Sequence, residues 1–226
     1  MNGSGSAEEE ALLARVRRLW EGLAGAGAVF PPDGGTRVVV SPGSRLCPPS
    51  WTGAVRIGTA VLITAPDERT ARQALPRLRA LPSGADVLGP ATLAYLPPGS
   101  FRPHPTTATP TTPDSLSPLL RTAGPHDTAE SGLPDIDSPA FTLHDGPTLL
   151  AAAGYEVWPA STAHICVLTT PAARNRGLAT AAASAAVQHA LEAGLLPQWR
   201  AGNDASRRVA EKLGFREVGE QVSVWV

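Results

Sequence analysis

Residues 163–180 read Ala-His-Ile-Cys-Val-Leu-Thr-Thr-Pro-Ala-Ala-Arg-Asn-Arg-Gly-Leu-Ala-Thr. Residues 164–169 are an apolar, β-prone run that Pro171 stops, which predicts a buried strand. Residues 174–179, Arg-Asn-Arg-Gly-Leu-Ala, then set two cations and a glycine where an alanine-rich helix begins. A helix N-terminus offers unpaired N–H groups and the positive end of the helix dipole, so it attracts anions and phosphate in particular. Gly177 has no side chain to hold a phosphate off that backbone. Arg174 and Arg176 add charge-assisted donors. The stretch therefore predicts an anion cradle between a strand and a helix.

Downstream, the helix is expected over 178–193, with Leu178, Ala182, Val187, Ala190 and Leu191 inward and Gly194 as its stop. A short strand at 198–201 follows. Asn203 is expected to cap a further helix that Gly214 closes, and 217–218 and 221–226 complete the sheet. Upstream, apolar runs at 140–144 and 149–158 flank Asp145-Gly146-Pro147, a hairpin signal in which Pro147 argues for a turn longer than two residues. With 163–170 this makes three antiparallel strands in succession. Two short helices, 115–121 and 127–132, each opened by a capping residue, are expected before them.

The first half carries an amphipathic helix at 8–23, with Leu12, Leu13, Val16, Leu19, Trp20 and Leu23 at helical spacing. Glu8, Glu9 and Glu10 suit its positive end. Strands are expected at 37–41, 54–63 and 91–96. A helix capped by Asp67 is expected to run to about Leu81 and to bury Ala71, Ala74, Leu75 and Leu78, with Pro76 inside that pattern. Residues 97–113 are rich in Pro and Thr and predict a linker or surface excursion, in which Arg102 and His104 are solvated. The expected organisation is an α/β region over 1–96, the linker at 97–113, and a second α/β domain over 114–226. Residues 1–96 contain no nucleotide-type glycine loop and no acid–base cluster. They suit a scaffold or substrate-side role, or a degenerate copy of the fold that follows.

Composition narrows the class. The formal net charge is −1 with dispersed basic residues, which argues against a nucleic-acid surface. Cys47 and Cys166 are the only cysteines and are far apart, so neither a metal site nor a disulfide framework is expected, and a reducing compartment fits. No apolar run approaches the ~20 residues that cross a bilayer. The N-terminus lacks the basic and apolar segments of a secretory signal, so a cytoplasmic location with no membrane partner is expected. The wealth of Ala, Pro and Gly suggests a GC-rich, bacterial coding sequence.

Arg174, Gly177 and Ala179 form Arg-x-x-Gly-x-Ala, which resembles the Gln/Arg-x-x-Gly-x-Gly/Ala loop of the GNAT superfamily of acetyltransferases. A second block, Asn-Asp-Ala-Ser-Arg-Arg-Val-Ala-Glu-Lys-Leu-Gly-Phe at 203–215, is similar to that family's later Asn-x-x-Ser…Glu-Lys-Leu-Gly-Phe segment. The resemblance covers roughly the last half of the chain. It implies a mixed, mostly antiparallel central sheet flanked by helices, beside the N-terminal α/β accessory region. It also implies direct transfer of acetyl from acetyl-CoA, as co-substrate, to a primary amine. In the family the loop holds the coenzyme pyrophosphate, here Arg174, Asn175, Arg176, Gly177, Leu178, Ala179 and Thr180. The pantetheine arm pairs with the strand near Val167, Leu168 and Thr169, and Asn203 lies beside the coenzyme.

The implied chemistry needs three more groups. An oxyanion donor would be the amide of Val167 or Leu168. A base for the ammonium could be Glu156, His164 or Glu130, although Glu156 could equally face solvent and His164 could be only a strand-end residue. An acid for the thiolate is in doubt, because the tyrosine that many relatives place before Glu-Lys is Ala210 here. Ser206, one turn earlier, is the substitute. The acceptor is open between a small metabolite, an antibiotic and a protein N-terminus or lysine, and the protein is expected as a monomer or homodimer. A regulatory or sensor module that binds acyl-CoA without turnover is the alternative.

Overall fold

The structure is a computed structural model that describes residues 3–25, 27–32, 34–79 and 86–225. In chain order its first elements are α1 (Gly3–Ala24), β1 (Gly35–Val40), β2 (Thr52–Ile57), β3 (Ala60–Ala65), α2 (Glu68–Arg79) and β4 (Val87–Tyr95). There follow β5 (Thr109–Thr111), α3 (Ser117–Ala123), α4 (Pro125–Ser131), β6 (Ala140–Asp145), β7 (Thr148–Trp158) and β8 (Thr162–Thr169). The last are α5 (Leu178–Glu192), β9 (Leu196–Ala201), α6 (Asp204–Lys212) and β10 (Arg216–Val224). The strands are mixed and mostly antiparallel, with helices against them, as expected from the sequence. The chain divides into two compact units. One is Met1–Leu93 with Ala201–Asn203 and Glu217–Val226, and the other is Ala94–Arg200 with Asp204–Arg216.

In the first unit the strand order is β1-β3-β2-β10, with β1 parallel to β3 and the other two pairings antiparallel. The apolar run at 54–63, read as one strand, is a hairpin. Gly58 sits at φ 58°, a left-handed conformation that turns the chain between β2 and β3. Helix α1 buries Leu12, Val16, Leu19, Trp20 and Leu23 on one stripe. Because it starts at Gly3, the three glutamates lie beyond its first turn and do not meet the helix dipole as expected. Asp67 does cap α2, its Oδ1 accepting the Thr70 N–H at 2.8 Å. Ala74 is buried against Ala54 and Ile63, with Leu75 and Leu78 partly covered beside it. The described part of α2 ends at Arg79, so the expected end at Leu81 lies outside the described residues, as does Val226.

The second unit has the strand order β9-β8-β7-β6-β5. Only β8 and β9 are parallel, and α5 makes the crossover that a parallel pair requires. Helix α5 packs on one face of β6, β7 and β8; α3, α4 and the 3₁₀ turn Leu133–Asp135 pack on the other. Ala182, Ala183, Ala186, Val187 and Ala190 are fully buried, and alanine there lets helix and sheet approach closely. Leu191, expected to face inward, is 38% exposed, because the buried stripe runs through 183, 186, 187 and 190 and leaves 191 at its edge. Two local expectations fail for clear reasons. Asp145 pairs with Thr148, so the hairpin turn is only Gly146-Pro147; Gly146 at φ 56° takes the left-handed position and Pro147 needs no ladder N–H there. Helices α3 and α4 have no side-chain cap and start instead on prolines in their first turns. Residues 97–113 fall within this unit. They contain β5, and their backbone is pinned where Arg102 N–H donates to the Leu213 carbonyl (3.0 Å) and His104 N–H to Ser184 Oγ (2.9 Å).

Candidate active site

The site starts from an incomplete strand pairing. β8 and β9 are in register at Thr162–Leu196, Ala163–Pro197 and His164–Gln198, and no further, although β8 continues to Thr169 and β9 to Ala201. Beyond His164 the two strands part and a wedge opens between them. Which amides face it follows from the other edge of β8. Thr170 N–H donates to the Leu150 carbonyl at 2.8 Å, and β8 pairs with β7 without a shift from Ala151–Thr169 to Trp158–Thr162. Backbone groups alternate in direction along a strand, so Cys166 and Leu168 turn theirs to β7, and Ile165, Val167 and Thr169 turn theirs into the wedge. Leu168 is therefore corrected as an oxyanion candidate: its amide is committed to the β7 ladder. Val167 keeps that role open. Thr169 Oγ1 is buried at the same edge and is without a partner among the described residues.

The loop after β8 has the geometry of an anion cradle. Gly177, at φ 79°, is the residue before α5, with no side-chain cap and no acid in the first turn. A Cβ placed on Gly177 would meet nothing within 4 Å, so the space before the helix is open. Asn175 also takes a positive φ, 61°, which turns the loop backbone tightly. Arg176, Asn175 and Gly177 are exposed, Leu178 and Ala179 are half-buried, and Thr180 is buried. Arg174 departs from expectation: its guanidinium is held by Asp127 of α4. That contact, with His126 second, draws the Asp127 carboxyl below its ordinary range. An extended anionic ligand fits these features: a helix N-terminus with a bare backbone, a half-zipped strand edge, and an orphaned hydroxyl at that edge.

On the α4 face of the wedge, His164 is the last paired residue. It is 8% exposed, stacks on Trp158 with ring centroids 4.2 Å apart, and donates its Nδ1–H to Gln198 Oε1 at 2.5 Å. Burial first, and the charge of Arg200 second, push its imidazole down to about 4 against the pull of the Gln198 hydrogen bond. A ring that is neutral and so weakly basic is a poor proton acceptor for an ammonium, which corrects His164 as a base candidate. Glu156 stands opposite it on β7 and is half-buried on the same face, while Glu130 is exposed on α4. Two residues along β8, Cys166 is buried in the core with Leu116, Leu119 and Leu133, and burial, then Glu156, push its thiol up to about 12.

On the other face, Trp199 Nε1 donates to Ser206 Oγ at 2.9 Å, which fixes that hydroxyl beside β9. Asn203 directly precedes α6, and Ala210, at the position where a tyrosine was sought, is buried. Sequence reasoning missed Asp127, Gln198 and Arg200. Strand alternation from His164 and its partner would have put Gln198 and Arg200 on one face; the Arg174–Asp127 contact, 47 residues apart, left no local signal.

Comparison with known proteins agrees with this architecture. A family model described as GNAT acetyltransferase matches residues 142–222. No curated protein matches the chain. Among solved structures, a GCN5-related N-acetyltransferase from Kribbella flavida is similar at 20% identity and a TM-score of 0.51, over 66% of this chain and 63% of that one. A GCN5-related N-acetyltransferase-like protein from Streptococcus suis matches at 17% identity and 0.50, over 79% and 84%. An acetyltransferase of the GNAT family from Colwellia psychrerythraea matches at 15% and 0.50, over 66% and 60%. At these identities the structures speak for the fold, and the chain spans less than two thirds of two of them. The wedge, the glycine-led helix and the family match coincide in one segment, and over residues 142–222 the chain is similar to the GNAT acetyltransferases.

Proposed function

We propose that the protein transfers the acetyl group of acetyl-CoA directly to a primary amine. The observation that carries this reading is the parting of β8 and β9 after His164–Gln198, immediately ahead of the open helix N-terminus at Gly177. Bound there, acetyl-CoA supplies an acetyl group activated as a thioester. The amides of Gly177, Leu178, Ala179 and Thr180 and the Arg176 guanidinium receive the pyrophosphate, and Asn175 shapes the turn. The wedge-facing groups of Val167 and Thr169 pair with the pantetheine arm. The Val167 N–H also meets the negative charge that develops on the carbonyl oxygen.

The amine must lose a proton to react, and a free alkylamine has a pKa of about 10. The small neutral fraction, in exchange with solvent, carries the lone pair that attacks; as the C–N bond forms the nitrogen becomes acidic, and Glu156 takes that proton and passes it to water. The C–S bond then breaks. The thiolate, whose thiol pKa is about 8.5, is already a tolerable leaving group, and Ser206 relays a proton to it, regaining one from water as it gives its own. Cys166 supports direct transfer over an acyl-enzyme: its thiol is buried and held protonated.

Titration calorimetry with acetyl-CoA and free coenzyme A, beside Gly177→Glu, tests the reading. Saturable binding that the substitution abolishes, with acetyl transfer to amines, is the expected result. Undiminished affinity in the variant removes the cradle from the site. Binding without transfer to any amine leaves a coenzyme-sensing module, which the alanine at position 210 would suit.

A further inference from the structure

The geometry points to an acceptor that carries a carboxylate beside its amine, an α-amino-acid-type substrate, gripped by Gln198 and Arg200 while its ammonium lies at Glu156. This inference rests on the acetyl-transfer reading above and names the substrate class for that same site.

Gln198 and Arg200 follow each other by two positions on β9, so both side chains lie on the face that bears His164, Cys166 and the 3₁₀ turn after α4. The intervening Trp199 points the other way, to Ser206. Gln198 is wholly buried at the apex of the wedge. Its Oε1 is taken by His164, and its Nε2, buried as well, has no partner among the described residues. A buried amide donor left unsatisfied costs stability, so its retention at the apex of the wedge implies a ligand acceptor for it. His164 cannot turn away to relieve it, because Trp158 stacks on the ring.

Arg200 supplies the charge. It is exposed on the arm of the wedge that has parted from β8, and it makes no ion pair among the described residues. It is nonetheless close enough to act electrostatically on both His164 and Cys166, one at the apex and one on the opposite arm. A guanidinium and an amide N–H on one face of a cleft are the donor set of a carboxylate, which a fork of parallel N–H bonds recognises with directionality. Glu156 stands across β8 on that face and complements an ammonium. The two charges of an amino acid are thus matched by two opposite charges of the protein, with the neutral His164 between them. A bare alkylamine would leave Gln198 and Arg200 unanswered.

A panel of L-amino acids, their carboxamides and the corresponding decarboxylated amines, each with acetyl-CoA, tests this with wild-type protein, Arg200→Ala, Arg200→Lys and Gln198→Glu. Wild-type kcat/KM is expected to favour free amino acids over their amides and amines by about tenfold or more, in line with the discrimination that unpaired buried donors impose. Arg200→Ala should collapse that ratio mainly through KM, Arg200→Lys should restore part of it, and Gln198→Glu should repel the carboxylate while keeping an oxygen for His164. Coenzyme A titration of each variant reports that the wedge is folded. Equal or better turnover of amides and amines, or a ratio untouched by Arg200→Ala, overturns the inference and leaves acetyl transfer standing. Coenzyme binding with no acetylation of any panel member overturns both.

Discussion

Gly177 and His164 show how single residues carry the site. A side chain at Gly177 would meet open space but would have to accept φ 79°, a left-handed conformation that costs an L-residue about 1–2 kcal/mol. The glycine thus leaves the space before α5 open and takes the bend that the helix start requires. His164 makes a different prediction. Its folded pKa, about 4, lies below the ordinary value, so between roughly pH 6.5 and 4 the unfolded chain binds a proton that the folded chain refuses. The stability this histidine permits is complete above about pH 6.5, falls as pH drops, and levels off below about 4. The loss is up to about 3 kcal/mol from the size of the shift. Denaturant titrations at stepped pH should show that slope in the wild type and a shallower one in His164→Gln. Equal slopes would mean that the ring is solvated. The position of His164 on a strand was legible in the sequence. Its neutrality was not, because Trp158, Gln198 and Arg200 reach it from three different strand positions.

Among the elements, the strand–loop–helix of β8 and α5 could be read directly because proline, glycine and alanine punctuate it locally. What reads poorly is contact between elements. Arg174 looked like a phosphate ligand, yet α4 holds it through Asp127. The pair is half-exposed, so it adds little stability, but it sets Asp127 in competition with any anion for the guanidinium. Asp127→Asn should therefore tighten coenzyme A binding by a few-fold at low ionic strength, with the gain fading as salt rises. Weaker binding in that variant would show instead that Asp127 holds the loop in its binding shape. The hairpin of β2 and β3 was missed for a related reason: an apolar run with one glycine reads as a strand until its pairing partner is known.

At the scale of the whole molecule, the division of the chain departs from its order in sequence. β10 lies in the unit of residues 1–93, where it pairs antiparallel with β2 from Gly219–Ile57 to Val224–Thr52. A Cβ on Gly219 would fall 1.8 Å from the Arg56 carbonyl, so the two strands are fitted closely. Gln221 Nε2 also donates to the Leu46 carbonyl at 2.6 Å. A fragment of residues 97–226 would expose β10 without its neighbour, so it is expected to be poorly soluble and to lack a cooperative melt. A well-folded 97–226 fragment by circular dichroism and calorimetry would disprove that dependence. Sequence alone suggested a boundary at the Pro/Thr-rich segment because composition changes there, and composition carries no record of a strand returning from far along the chain.

That return has a consequence for how the protein is made. During synthesis β2 and β3 emerge early, and the edge that β10 will cover stays bare until more than a hundred further residues have been added. At 5–20 residues per second this is roughly ten seconds in which an apolar strand edge is offered to other nascent chains. Temperature and translation speed should thus govern the yield of native protein more strongly than its final stability does.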